Sequence, residues 1–376
     1  MGKSILLFVL CITCFVVHLQ FASKADGFCD PNFSLDTESK DEMMEYGKQM
    51  KRKGVSHIFF VHGTWVGNSP FGVIARLPGV PIAIKKKLEK IVKKQIDLAL
   101  GDLGNYTECY VELFKKSIDS DISCHPPFQW GSGNYHSARV RGAIRLINEL
   151  SKNIKKPSEN ERVLLIGHSH AGQLFALLTT FLEDEEILLL ETDEKMSKIE
   201  KLVNIVGLDE EIYKNFAQLK EDIKIIDKVY LDIVTFGTPP RYQWGKFKSK
   251  DEGGNYRLLN VINHRHETVS ILGLLKTKDG DYIQQWGVGG SDTDLVDREK
   301  NREIEKIIGR EQYYITVESV LKGDKRYKPN YGKTLLIDNG DEGKNLKETL
   351  LGHGAYTCKE KMLFNTKLIV KEFYRD

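Results

Sequence analysis

The chain has 376 residues, 41% hydrophobic and 29% charged, with no internal repeat and no low-complexity linker, which suits one large globular domain. Lys and Arg number 55 against 53 Asp and Glu, a formal charge of +2. Lys3 and Lys24 fall in the N-terminal segment considered next, which carries no acid there, so the remainder is close to neutral. A general nucleic-acid binder needs a strongly basic surface, and that class is excluded.

At the start, Met1-Gly2-Lys3 precedes the apolar run Ile5–Val17. That run has the length of a signal-peptide core and is short for a membrane span. Ser23-Lys24-Ala25 supplies small residues at the peptidase positions, so residues 1–25 are expected to leave as a signal peptide and residues 26–376 to form the mature domain. The expected location is secreted, periplasmic or otherwise extracytoplasmic. Cys29, Cys109, Cys124 and Cys358 remain, an even number for an oxidising compartment. Cys109 and Cys124 bracket a loop of suitable length and are the first pair expected, leaving Cys29 with Cys358; other pairings stay open. Asn32-Phe33-Ser34 and Asn105-Tyr106-Thr107 are glycosylation sequons, meaningful in a eukaryotic host.

Further along, His57-Ile58-Phe59-Phe60-Val61 reads as an apolar strand ending in His62-Gly63-Thr64. Residues Ile84–Leu100 form a lysine-rich stretch with apolar residues at near-helical spacing. It is expected to be a surface helix with a solvated face, and contact with anionic lipid heads is the second use of that pattern. Phe128-Gln129-Trp130-Gly131-Ser132-Gly133-Asn134, with Arg139 beyond, leads into an apolar helix.

The run Arg162–Gln173 is the most informative. An apolar burst ends at Gly167, Ser169 follows, and Ala171-Gly172 come directly after. A strand, a sharp turn and a helix in that order hold a serine hydroxyl out of the sheet, and the strained turn needs small neighbours on both sides. Ser169 is therefore the candidate nucleophile. Residues 183–228 make a charged, helical insertion before the next strand, Asp232–Thr238. Leu258–His264 predicts another strand, closely followed by Glu267; Asp292 lies later in Gly289-Gly290-Ser291-Asp292. Thr334–Asp338 predicts a late strand, then His353 between Gly352 and Gly354, then a helix over roughly Cys358–Phe373.

From about His57 to about Tyr356 this succession resembles the α/β-hydrolase superfamily, in particular secreted serine hydrolases of the lipase/esterase type. The Gly237-Thr238-Pro239 ending of one strand adds to the likeness. It departs from the family pattern at Ala171, where glycine is usual, and the sheet lacks room for the first strands of the full fold. The resemblance implies an α/β fold with a mostly parallel sheet, helices on both faces, and residues 183–228 as a helical lid. It implies Ser169 as nucleophile, His353 as base, and Glu267 or Asp292 as the orienting acid, Glu267 being preferred because it directly follows a strand. Backbone N–H groups of Gly63 or Thr64 and of His170 would hold the oxyanion. The implied substrate is a carboxylic ester, of a lipid or another hydrophobic molecule, with no cofactor. A thioester or amide, or a non-catalytic binding role, are the alternatives. His168-x-His170 and His264-x-His266 have metal-ligand spacing, but neither a helical His-Glu-x-x-His nor a following Asp-His accompanies them, so no metal is assigned.

Overall fold

The computed structural model describes residues 33–63, 100–118, 121–158, 160–183, 196–208, 212–245, 256–269, 271–286, 298–309, 324–329, 331–344 and 349–375, with isolated positions between 81 and 94. In chain order the elements are α1 (Thr37–Arg52), β1 (Val55–Val61), α2 (Glu108–Ile118), β2 (Ser123–Cys124), α3 (His136–Ile154), β3 (Arg162–His168), α4 (Ala171–Leu182), α5 (Lys198–Val206) and α6 (Phe216–Ile226). There follow β4 (Tyr230–Phe236), β5 (Tyr256–Asn263), β6 (Thr268–Val269), α7 (Tyr282–Trp286), α8 (Arg298–Ile308), β7 (Asp324–Lys325), β8 (Lys333–Ile337) and α9 (Met362–Phe373).

Strands β1, β3, β4 and β5 are apolar on both faces because both faces are covered. Their side chains alternate between two cores. Phe59, Val61, Val163, Leu165, Leu231 and Ile233 enter one, with α3, α4, α5, α6 and α8. Ile58, Phe60, Leu164, Ile166, Val234 and Phe236 enter the other, with α1, α2 and α9. The protein is thus a three-layer α/β structure.

Six strands form one sheet in the order β2-β1-β3-β4-β5-β8, every pair parallel. The chain runs outward from β1 to β2, then returns to build on the other side of β1. The direction of winding therefore reverses between β1 and β3, and the crevice at the carboxyl ends of those two strands is where open α/β sheets bind ligands. β1 ends at His62-Gly63 and β3 at His168-Ser169, which positions the elbow in that crevice.

The predicted strands at His57, Val163, Asp232, Leu258 and Thr334 are all present. Before α3, Phe128 makes only a single parallel bridge with Val61. The C-terminal helix starts at Met362, after two short 3-10 turns over Ala355–Thr357 and Lys359–Lys361.

Three expectations are answered differently. The described part of the 183–228 insertion is built into the flank. Leu202, Val203, Leu219, Ile223 and Ile226 join the core under α3 and α4, and Arg141 of α3 donates to the Val206 carbonyl at 2.7 Å. Residues 184–195 and 209–211 of that insertion lie outside the described residues. Cys124 and Cys358 carry free thiols, so neither expected cysteine pair is formed. Burial pushes the Cys124 thiol up to about 12 and that of Cys358 up to about 11. Asn105 of the second sequon is wholly buried, its amide donating to the Gly101 carbonyl at 3.3 Å, so the folded chain offers no acceptor there. The signal segment 1–25 and Asn32 lie outside the described residues. Of the lysine-rich stretch only isolated positions are described, Ile84 and Ile91 among them as exposed apolar side chains. No helix among the described residues is long and apolar enough to cross a membrane.

At the opposite end of the sheet from the crevice, Asp232 is fully buried in β4. It accepts from Arg162 of β3 at 2.9 Å, from Arg257 of β5 at 2.6 Å and from the Tyr374 hydroxyl at 2.7 Å. Arg257 also stacks on Phe373 at 4.3 Å. One carboxylate thereby joins three strands to the end of α9. Removing it leaves two guanidiniums without their shared anion, which is costly in a buried setting. Asp232→Asn should lower unfolding free energy by about 3 kcal/mol, measured by urea titration, while the folded fraction keeps its near-UV spectrum.

Candidate functional site at the β1–β3 crevice

Ser169 has φ +56°, a left-handed backbone that costs a non-glycine residue energy unless its surroundings enforce it. The enforcement is visible. The Ser169 N–H donates to the Phe236 carbonyl at 2.8 Å, and its own carbonyl accepts from the Gly172 N–H at 3.2 Å and from the Thr238 hydroxyl at 2.8 Å. The neighbouring backbone is bare for steric reasons. A Cβ on Gly63 would lie 2.7 Å from that of Ser169; one on Gly167 would meet Phe175 at 2.4 Å; one on Gly172 would meet Thr238 at 2.3 Å. Ala171 is fully buried, and its methyl fits because Gly167 has no side chain: a Cβ there would lie 2.9 Å from that of Ala171.

His353 sits in a tight turn in which Leu350, Leu351 and Gly352 have φ of +47°, +62° and +75°. Its Nδ1 lies 2.8 Å from Oδ2 of Asp281. A carboxylate only accepts, so Nδ1 carries the proton and Nε2 is left as the basic nitrogen. That Nε2 is buried and has no hydrogen-bond partner. His168, the residue before Ser169, reaches the same turn from β3. Its Nε2–H donates to the His353 carbonyl at 2.8 Å, and the two rings are 4.5 Å apart. His353 is thus tied to the elbow through its backbone, and to Asp281 through its side chain.

Asp281 is the carboxylate that the sequence reading missed. It is fully buried and accepts on Oδ1 from the Gln284 N–H at 2.8 Å and on Oδ2 from the Tyr356 hydroxyl at 2.8 Å. Its backbone N–H donates to the Asn263 carbonyl at 2.9 Å, which closes the loop back on the end of β5. Gly237 leaves the pair its space: a Cβ there would stand 2.5 Å from Asp281 Oδ2 and 3.1 Å from His353 Nδ1. The signal that could have found Asp281 is Asp279-Gly280-Asp281, where Gly280 turns with φ +95° directly under Asn263.

Glu267, the preferred acid from sequence, does not meet His353. Its side chain is 63% exposed and pairs with Lys328 at 3.2 Å and with His264 at 3.7 Å; Lys328 holds its carboxyl below the usual range. It follows β5 as expected, but its side chain lies on the surface. Asp292 and Thr64 lie outside the described residues. Gly63 and His170 both flank Ser169. His170 is the N-cap of α4, where a helix leaves its first N–H groups without intrahelical acceptors.

Four histidines surround the serine. Ser169 Oγ is 3.4 Å from Nδ1 of His170, a long and weak contact, and no direct bond joins it to His353 Nε2. Burial first, then the charge of Arg139, holds His170 well below the usual histidine value, so it is a poor proton acceptor. Burial likewise lowers His168 well below that value and His62 to about 3. His62 Nδ1–H donates to the Gly63 carbonyl at 2.9 Å, and its ring stacks at 6.0 Å on Trp130, whose indole N–H donates to the His62 carbonyl at 2.9 Å. This braces the loop after β1. Arg139 is fully buried and bonds Asn134 at 2.6 Å and Tyr242 at 3.2 Å, bracing the loop before α3. Among the described residues no group of three His, Cys, Asp or Glu side chains converges as a metal site would require.

The arrangement brings together a hydroxyl, an imidazole whose Nδ1 proton faces a carboxylate, and that buried carboxylate, at the carboxyl ends of β1 and β3. No protein-family profile, no curated protein and no solved structure matches this chain.

The neutral histidines make stability pH-dependent. His62, His168 and His170 have folded values below the unfolded value of about 6.5. Protons therefore bind the unfolded chain more readily, so stability is full above about pH 6.5 and falls as pH drops below it. Urea midpoints should decline between about pH 7.5 and pH 5. His168→Gln should flatten that slope by up to about 1.4 kcal/mol per pH unit. A midpoint constant over that range would show that these rings protonate freely within the fold.

Proposed function

We propose that the protein is a serine hydrolase of the α/β-hydrolase type, acting on carboxylic esters through an acyl-enzyme. The observation that carries the reading is the His353–Asp281 pair, locked at 2.8 Å and tethered by His168 to the strained turn that presents Ser169. Ser169 attacks the ester carbonyl while His353 Nε2 takes the hydroxyl proton. The tetrahedral intermediate collapses as the same nitrogen protonates the leaving alcohol, and water repeats the sequence to release the acid. Asp281 holds the imidazole in the required tautomer and stabilises the imidazolium. The N–H of His170 and one from the Gly63-Thr64 loop bind the oxyanion.

No direct bond joins Ser169 to His353 Nε2, which does not oppose this chemistry, because such bonds often tighten only with substrate bound. The substrate read from the sequence is a lipid or other hydrophobic ester, met in an extracytoplasmic compartment after loss of residues 1–25. The lysine-rich stretch at 84–100 would meet an anionic lipid surface.

A fluorophosphonate probe should label the wild-type protein at Ser169. Ser169→Ala should abolish labelling, and His353→Ala and Asp281→Asn should each slow ester hydrolysis by about a thousandfold or more with the fold retained. Glu267→Gln should leave the rate within about twofold, as expected of an exposed ion pair. Labelling that persists in Ser169→Ala, or hydrolysis that depends on Glu267 and not on Asp281, would refute this assignment.

A further inference from the structure

We propose that Tyr356 is a positioning residue for the His353–Asp281 pair: its hydroxyl fixes the Asp281 carboxylate and draws off part of the negative charge that the carboxylate turns toward the imidazole. Its use in turnover rests on the hydrolase reading above, whereas its effect on the pair rests on geometry alone.

The direction of the phenol proton follows from its neighbours. The Tyr356 oxygen is 2.6 Å from the backbone nitrogen of Asn263, which can only donate. The phenol must therefore accept from Asn263 and give its own proton to Asp281 Oδ2, 2.8 Å away. The ring is fully buried, and burial together with the Asp281 charge raises the phenol well above 10, so it remains a donor throughout the working range. Tyr356 cannot drift from this place. It stands edge-on to His353 at 6.4 Å, and its carbonyl accepts from the Asn365 amide at 2.7 Å.

Oδ2 thus serves two donors, the His353 Nδ1–H and the Tyr356 hydroxyl. Each weakens what is left for the other, because both draw on the same oxygen's charge. Arg326 works in the same direction from beside β7. Its guanidinium donates to the Asp281 carbonyl at 2.5 Å, to the Asp279 carbonyl at 2.7 Å and to the Gln284 side chain at 3.1 Å, placing a buried cation next to the acid. Among the described residues, the other titratable groups facing His353 are His168 at the end of β3 and His170 at the start of α4, both kept neutral. Tyr356 therefore moderates the grip of Asp281 on His353 as well as aligning it. A merely packed tyrosine would contribute ring contacts and nothing that responds to loss of its hydroxyl.

The test reads the pair directly. In protein labelled with nitrogen-15 histidine, the His353 Nδ1 proton is identified by its absence in His353→Gln. In Tyr356→Phe, with Oδ2 released from one donor, that signal should move downfield. The acid limb of ester hydrolysis, or of probe labelling, should move to higher pH, since the imidazolium is better stabilised. An unmoved signal, an upfield shift, or loss of the signal in a variant whose circular dichroism is native would overturn the proposal. If Tyr356→Phe fails to fold, 3-fluorotyrosine placed at 356 keeps the ring and strengthens the donor. The signal should then move upfield, and its failure to do so overturns the proposal equally. Should Ser169 never react while the histidine signal moves as expected, the hydrolase reading falls and the positioning role stands.

Discussion

Everything at the crevice depends on backbone coming closer to backbone than side chains permit. Ser169 holds its left-handed conformation because Gly63 just after β1, Gly167 from β3 and Gly172 from α4 each leave out a side chain that would collide with the turn or its support. The parallel register that sets Val61 against Gly167 brings Gly63 to the serine. A slip of one residue would exchange the two cores and remove that glycine from the site. The elbow is therefore a property of the β1–β3 pairing as much as of its own short motif.

The second theme is economy of charge. Three histidines around the serine are kept neutral by burial, and two of them act as hydrogen-bond struts, His62 for the Gly63 loop and His168 for the His353 turn. Neutral struts do not compete with the imidazolium that would form on His353. The full charges are held where partners surround them: Asp281 among a histidine, a tyrosine and a backbone N–H, Asp232 between two arginines at the far end of the sheet. Each site has its own anchoring chain, and the parallel strands separate them.

The strands were readable because a parallel sheet buried on both faces leaves unbroken apolar runs, as in Ile58–Val61 and Val163–Ile166. The elbow was readable because its steric demands select small residues at fixed offsets. The acid was not. Glu267 stands next to β5 in the chain, but the carboxylate that reaches His353 depends on how the chain returns, and it returns through the bridge between His264 and Gly280. No periodicity encodes that return. The insertion after α4 misled for a related reason. The charges at Glu221 and Lys224 mark the solvent side of an amphipathic helix, and an amphipathic pattern announces a buried face without naming what buries it. The cysteines likewise offered spacing alone, and spacing does not report whether two thiols come within bonding reach.

The buried sequon sets a condition on biosynthesis. Glycan transfer acts on an accessible asparagine amide, and that of Asn105 is occupied in the finished fold by the Gly101 carbonyl, with the Asn105 N–H donating to the Thr357 hydroxyl from the far end of the chain. Closing this contact requires residues near the C-terminus. In a cell that glycosylates its exported proteins, residues 101–107 would emerge long before Thr357 is made. A sugar added in that interval would occupy the space the late turn must enter, so the timing of modification against completion of the chain would decide how much of the product could bring Thr357 against residues 101–107.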